Sequence, residues 1–196
     1  MNCSLDRLTA DVMERLGEQP GSLPAAFAGA PSPCEVFAMR IRGLLPSAGR
    51  DLLEEAPAAM LAGAPSVVSV PDMRMMPCGL YAAILPLPEG FARLVSLRME
   101  SWTRAVCSCI LPDSGEWERQ YSREPGIAGC GCRPQAYLAD GPSGLTLTAF
   151  GSDLPDDRLS HLLFWPTPEP DADGHFCFPS ALYPALVTAL SRSLTQ

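Results

Sequence analysis

Two Cys-x-Cys pairs, Cys107-Ser108-Cys109 and Cys130-Gly131-Cys132, hold half of the eight cysteines in this sequence. Four thiolates are the donor set of structural zinc and of iron–sulfur clusters, so Cys107, Cys109, Cys130 and Cys132 are the candidate metal ligands. Their spacing works against that use. Structural zinc sites ordinarily take two to four residues between cysteines, because a knuckle turn carries both sulfurs round to one ion. On a strand, Cys-x-Cys puts both side chains on one face, as a core-facing pair requires. Reduced cysteine behaves as a small buried hydrophobe, and this is the preferred reading, with no metal or other cofactor expected.

Acid–base chemistry starts from two histidines, His161 and His175. Pairing either with a cysteine would give a nucleophile and a base, yet nothing in the sequence sets out nucleophile, base and orienting group together. Glu169, Asp171 and Asp173 before Gly174 have the look of a calcium loop. The later bidentate glutamate that such a loop needs is missing over 178–182, so a solvated loop is expected. Gly-x-Ser-x-Gly, Walker, Gly-x-Gly-x-x-Gly and His-Glu-x-x-His motifs do not occur. These absences remove several common enzyme classes but not all, and the chain is expected not to be an enzyme.

A second set of residues suits contact rather than catalysis. Phe91, Trp102, Trp117, Tyr121 and Trp165 lie beside arginines or prolines, with Arg104 and Arg119 each two residues after a tryptophan. Trp and Arg dominate protein–protein hot spots, which makes Arg93, Trp102, Arg104, Trp117 and Arg119 candidate interface residues. The same rings would also serve to pack a sheet, and both readings stay open.

Composition bounds the partners. The 196 residues are 47% hydrophobic, enough for a real core, and only 18% charged, against about 25% in an ordinary domain. Net charge is −8, and the 14 basic residues are scattered, Arg40 and Arg42 being the nearest to a cluster. Phosphate recognition needs clustered Lys and Arg, so sequence-specific nucleic-acid binding is not expected, although lining a DNA channel would not require such clusters. No run approaches the ~20 apolar residues of a membrane span. The start, Met1 to Arg7, has no basic segment followed by an apolar run. The expected setting is a reducing cytoplasm without membrane partners.

The elements that must position these residues follow from periodicity. Leu5, Leu8, Val12 and Leu16 make one helical stripe, capped by Ser4 and ended at Gly17. Residues 19–31 read as a loop. Ser32-Pro33-Cys34-Glu35 is a capping-box start for a second helix with Phe37, Ile41, Leu44 and Leu45 on its apolar face. Pro46 is expected to break or kink it, with helix resuming through Leu52 and Leu53 to Pro57. From Ser66 the pattern turns to strands over 66–70, 80–85, 93–99, 105–110, 133–138, 145–150 and 158–165, with a loop over 166–174. Leu182, Leu186, Leu190 and Leu194 return at helical spacing. The expected fold is α+β: N-terminal helices and a C-terminal helix packed with a small, mostly antiparallel sheet. The expected organisation is one domain, mainly helical over 1–64, mainly β over 65–166, with the last helix over 177–196.

One segment carries a resemblance. Pro88-Glu89-Gly90-Phe91-Ala92-Arg93-Leu94-Val95, followed by Trp102-Thr103-Arg104-Ala105-Val106, resembles head–tail connector, or ring, proteins of tailed phages and prophages of gut bacteria. There a Pro-x-x-Phe-x-Arg-Leu-Val strand leads to a Trp-x-Arg-x-Val turn. Asp113-Ser114, Gln120 in a short helical stretch, Arg133-Pro134 and Gly144 to Phe150 continue the likeness in order, so residues 86–150 carry the specific matches. The chain departs from the pattern at Gly115-Glu116-Trp117, at Cys130-Gly131-Cys132 and at Pro46. The resemblance implies a structural virion or prophage subunit, assembled in the bacterial host cytoplasm. It would form a homo-oligomeric ring around the DNA channel, with portal and other head–tail proteins as neighbours. The alternative, from the residues alone, is a small Cys-x-Cys metal-binding or redox protein.

Overall fold

Ser4 stands where the first apolar stripe needs a cap, and there the helix begins. In the computed structural model, which describes residues 2–17, 32–110, 115–122, 127–141 and 144–195, helix α1 spans Leu5–Leu16 and Arg7 N donates to Ser4 Oγ at 3.3 Å. Gly17 ends it in the left-handed conformation (φ 74°), its N–H directed to the Glu14 and Met13 carbonyls, a closure that glycine makes without steric cost. The apolar stripe is buried at Leu5, Leu8, Val12 and Met13. The loop expected over 19–31 lies outside the described residues.

Helix α2, Pro33–Glu55, opens with the expected capping box: Glu35 N donates to Ser32 Oγ at 3.2 Å, and Ser32 N to Glu35 Oε2 at 2.5 Å. Of the break or kink expected at Pro46, no break occurs: the helix is one continuous element through it. An interior proline costs about 3 kcal/mol. Ile41, Leu45 and Leu53 lie fully buried on either side of Pro46, and their burial, at about 1.5–3 kcal/mol each, exceeds that cost. The helix ends at Glu55, just before Pro57, and a single 3-10 turn follows at Ala58–Met60.

Contacts gather the chain into two compact units, Met1–Gly63 with Trp165–Gln196, and Ala64–Phe164. In the first, α1, α2 and the last helix α4 (Tyr183–Leu194) pack on one another. Leu186, Val187 and Leu190 supply the buried apolar face of the last of these, and Leu182 is buried just before it. Strand β1 (Asn2–Ser4) pairs antiparallel with β9 (His175–Cys177), an unforeseen two-stranded ribbon that ties the start of the chain to residues near its end. Gly49 of α2 meets the ring of Pro168 so closely that a β-carbon there would collide with it. Trp165, buried, donates from Nε1 to the Leu61 carbonyl at 2.9 Å.

The second unit holds the remaining strands. Strands β2 (Ser66–Val67), β5 (Phe91–Met99) and β8 (Leu159–Pro166, whose last two residues belong to the first unit) form a sheet of order β2-β8-β5. Strands β3 (Asp72–Met75), β4 (Tyr81–Pro86), β6 (Gln135–Gly141) and β7 (Gly144–Ser152) form another of order β3-β4-β7-β6. The β3–β4, β4–β7 and β6–β7 pairs are all antiparallel. Among the described residues, helices account for 35% and strands for 32%. They are largely segregated along the chain, and the fold class is α+β as expected.

Two strand expectations are corrected. The strand foreseen over 66–70 stops at Val67. Residues 105–110 make no strand, only single bridges from Val106 to Leu97 and from Ile110 to Tyr137.

Candidate functional site

Trp102 closes the turn after β5, its N–H donating to Met99 O at 3.2 Å. Its ring is 1% exposed in the sheet core, packed in one cluster with Ala83, Leu85, Phe91, Leu94, Leu97, Leu147 and Phe164. Of the two readings left open for this residue, the position matches packing, because a ring with no accessible surface has nothing to offer a partner. The turn behind it is fixed by Asp157, a buried carboxylate that accepts from Ser101 N at 3.1 Å, Ser101 Oγ at 2.5 Å and Arg158 N at 2.9 Å. Arg93 is half-buried on β5, and Arg104 is exposed.

Helix α3 (Gly115–Gln120) carries the second pair. Trp117, half-buried, stands edge-on to Tyr137 (4.8 Å between centroids), Tyr121 (5.3 Å) and Phe150 (5.7 Å). Arg119 points to solvent. Gln120 is buried and fully used: its Nε2 donates to Glu116 O and Gln135 Oε1, and its Oε1 accepts from Gly129 N at 2.7 Å. The five interface candidates therefore differ in exposure, and the two tryptophans pack in different clusters. Trp102 belongs to the sheet core and Trp117 to a separate aromatic cluster, while Arg104 and Arg119 are exposed.

The four candidate cysteines divide likewise. Cys109 is half-buried against the sheet core and Cys107 is exposed. Burial pushes the Cys109 thiol up to about 12, with Arg93 opposing the shift. Cys130 and Cys132 lie in a turn and not on a strand face, with their sulfurs 2.9 Å apart and Cys132 exposed. The strand-face expectation fails because the chain turns back on itself here: Arg133 N donates to Cys130 O at 2.8 Å, and Cys130 N to Arg133 O at 3.3 Å. Among the described residues no three His, Cys, Asp or Glu side chains gather as a metal site would require.

Other candidates resolve individually. His161 Nε2 is 2.8 Å from Ser96 Oγ on the neighbouring strand. Asp171 Oδ1 accepts from Asp173 N at 3.0 Å and His175 N at 2.7 Å, so the acidic loop folds on its own backbone. His175 shares a cleft of about 270 Å³ with Asn2, Cys3, Ser4, Arg7 and Tyr183. Burial raises the pKa of Cys3.

The feature that sequence reading missed is an apolar arm. Val68 and Val70 are 96% and 86% exposed, and Met75, on the edge strand β3, is 69% exposed. Residues 68–70 belong to no sheet. Comparison of the chain with protein-family models, with curated proteins and with solved structures found no match.

Proposed function

We propose that this chain is a non-catalytic assembly subunit of the head–tail connector kind. In this reading it self-associates into a ring around a DNA channel, beside the portal and other head–tail proteins. The observation that carries self-association is the arm. A Val-Val-Ser-Val sequence has strong strand preference, and two of its valines stand almost wholly in water. Burying one such side chain is worth about 1.5–3 kcal/mol. An exposed β-prone segment joining two strands that end their sheets among the described residues suits strand addition between chains. The occupant this reading assigns to it is a second copy of the chain. The connector assignment itself rests on the resemblance over residues 86–150.

The experiment is assembly with and without the arm. Light scattering of the full chain is expected to give a discrete oligomer, which Val68→Lys with Val70→Lys converts to monomer while the fold, read by circular dichroism, is unchanged. Imaging of that oligomer tests the connector part, since an annulus with an open channel is required. A compact assembly without a channel would overturn it.

A further inference from the structure

Cys130 and Cys132 are brought together by backbone that does not depend on their sulfurs. Gly131 O accepts two hydrogen bonds from Thr103, from N at 2.9 Å and from Oγ1 at 3.1 Å. The reciprocal Cys130–Arg133 bonds close the turn from the other side. Two glycines allow the close packing. A β-carbon on Gly131 would lie 3.2 Å from Ser101 O, and one on Gly151 (φ 112°) would lie 2.8 Å from the Cys130 carbonyl. The turn is thus held by β5's exit and by the end of β7, and the two thiols meet as a consequence.

We infer that Cys130-Gly131-Cys132 is a reversible dithiol–disulfide site that exchanges with small disulfides such as oxidised glutathione. The sulfurs stand 2.9 Å apart, and a bonded pair needs about 2.0 Å, so closure asks for about 1 Å of movement on a turn fixed by other bonds. Cys132 is exposed and Cys130 half-buried, which leaves the pair open to a small reagent. The two thiols also divide the roles of exchange. Hydrogen bonding from Cys132, then backbone N–H groups and the Arg133 charge, lower the pKa of Cys130. The Cys132 thiol is raised by the same pairing. The thiolate is the attacking species, so Cys130 attacks and Cys132 resolves.

The steps balance. Cys130 thiolate attacks one sulfur of the external disulfide, forming a mixed disulfide and releasing one external thiolate. Cys132 gives up its proton and attacks Cys130 Sγ. The new Cys130–Cys132 bond expels the second external thiolate. Two protein thiols are oxidised and one external disulfide is reduced to two thiols.

The test is equilibration of the full chain in reduced and oxidised glutathione, acid quenching, alkylation and peptide mass mapping. Cys34 and Cys107, both exposed, serve as internal controls. The expected result is a peptide spanning 130–132 that is lighter by two hydrogens and unalkylated in oxidising buffer, and restored by reducing buffer, while Cys34 and Cys107 remain alkylated or singly glutathionylated. In reduced protein, Cys130 is expected to alkylate faster than Cys132. Cys132→Ser is expected to trap one glutathione on Cys130. Independent alkylation of both sulfurs in every buffer, at the rates of the controls, would overturn the site, and a single adduct on each would do the same. None of these readouts involves oligomer mass, so the site and the proposed assembly can fail separately.

Discussion

The carboxylate of Asp157 takes both the amide and the hydroxyl of Ser101, at 3.1 and 2.5 Å. Fifty-six positions apart, the two residues lock the turn that delivers Trp102 to the core. A buried carboxylate with three donors is costly to lose, because the donors are left without partners. Asp157→Ala is expected to destabilise the fold by about 1.5–3 kcal/mol in urea titration. Retained stability would show that the turn is held by packing alone.

Trp102→Ala empties a fully buried site and is expected to cost about 3–5 kcal/mol. Trp117→Ala removes a half-buried ring from an aromatic cluster and is expected to cost less. The order of the two denaturation midpoints checks this. A larger loss at Trp117 would contradict the placement of Trp102 as the principal core ring.

Cys109 gives a pH signature. Its thiol is raised from 9.0 to about 12 by burial, so the folded chain holds that proton where the unfolded chain releases it. The unfolded state binds fewer protons across this window, and stability falls as pH rises. This contribution is complete below pH ~9 and is lost progressively towards pH ~12. Comparing the wild type with Cys109→Ala in urea at pH 8 and pH 10.5 tests it: the wild type is expected to lose more stability than the variant. Equal losses would show that Cys109 ionises alike in both states.

Gly49→Val is expected to be strongly destabilising, since even one β-carbon meets the Pro168 ring. Gly43→Ala, on the same helix with open space around it, is expected to be neutral or slightly stabilising, as alanine favours helix. Thermal unfolding of both separates close approach from helix propensity.

Legibility in the sequence followed the range of the forces involved. Helices α1 and α4 and the start of α2 were readable, because caps and apolar spacing act within a few residues. Strands β4, β5, β7 and β8 were readable from β-branched and aromatic runs. Strands β1, β3 and β9 were not. Each has at most four residues, and Asp72-Met73-Arg74-Met75 is extended through its partner β4 and not through its own preference. At Pro46 the helix stays continuous because long-range burial of Ile41, Leu45 and Leu53 offsets a local penalty. The candidate site was half legible: residue types marked the tryptophans and the Cys-x-Cys pairs. Only the chain's return at Gly131 brings Cys130 and Cys132 together, and only the fold shows that Val68 and Val70, in a β-prone run, stand outside the sheets and uncovered.

Light scattering across a wide range of protein concentrations, in reducing buffer, tests the central claim most directly. The account predicts a discrete multiple of the 20.9 kDa chain, reduced to the single-chain mass by Val68→Lys with Val70→Lys. Those two surface changes are expected to alter stability by no more than about 0.5 kcal/mol. A single-chain mass at every concentration, or an oligomer indifferent to both substitutions, would contradict it.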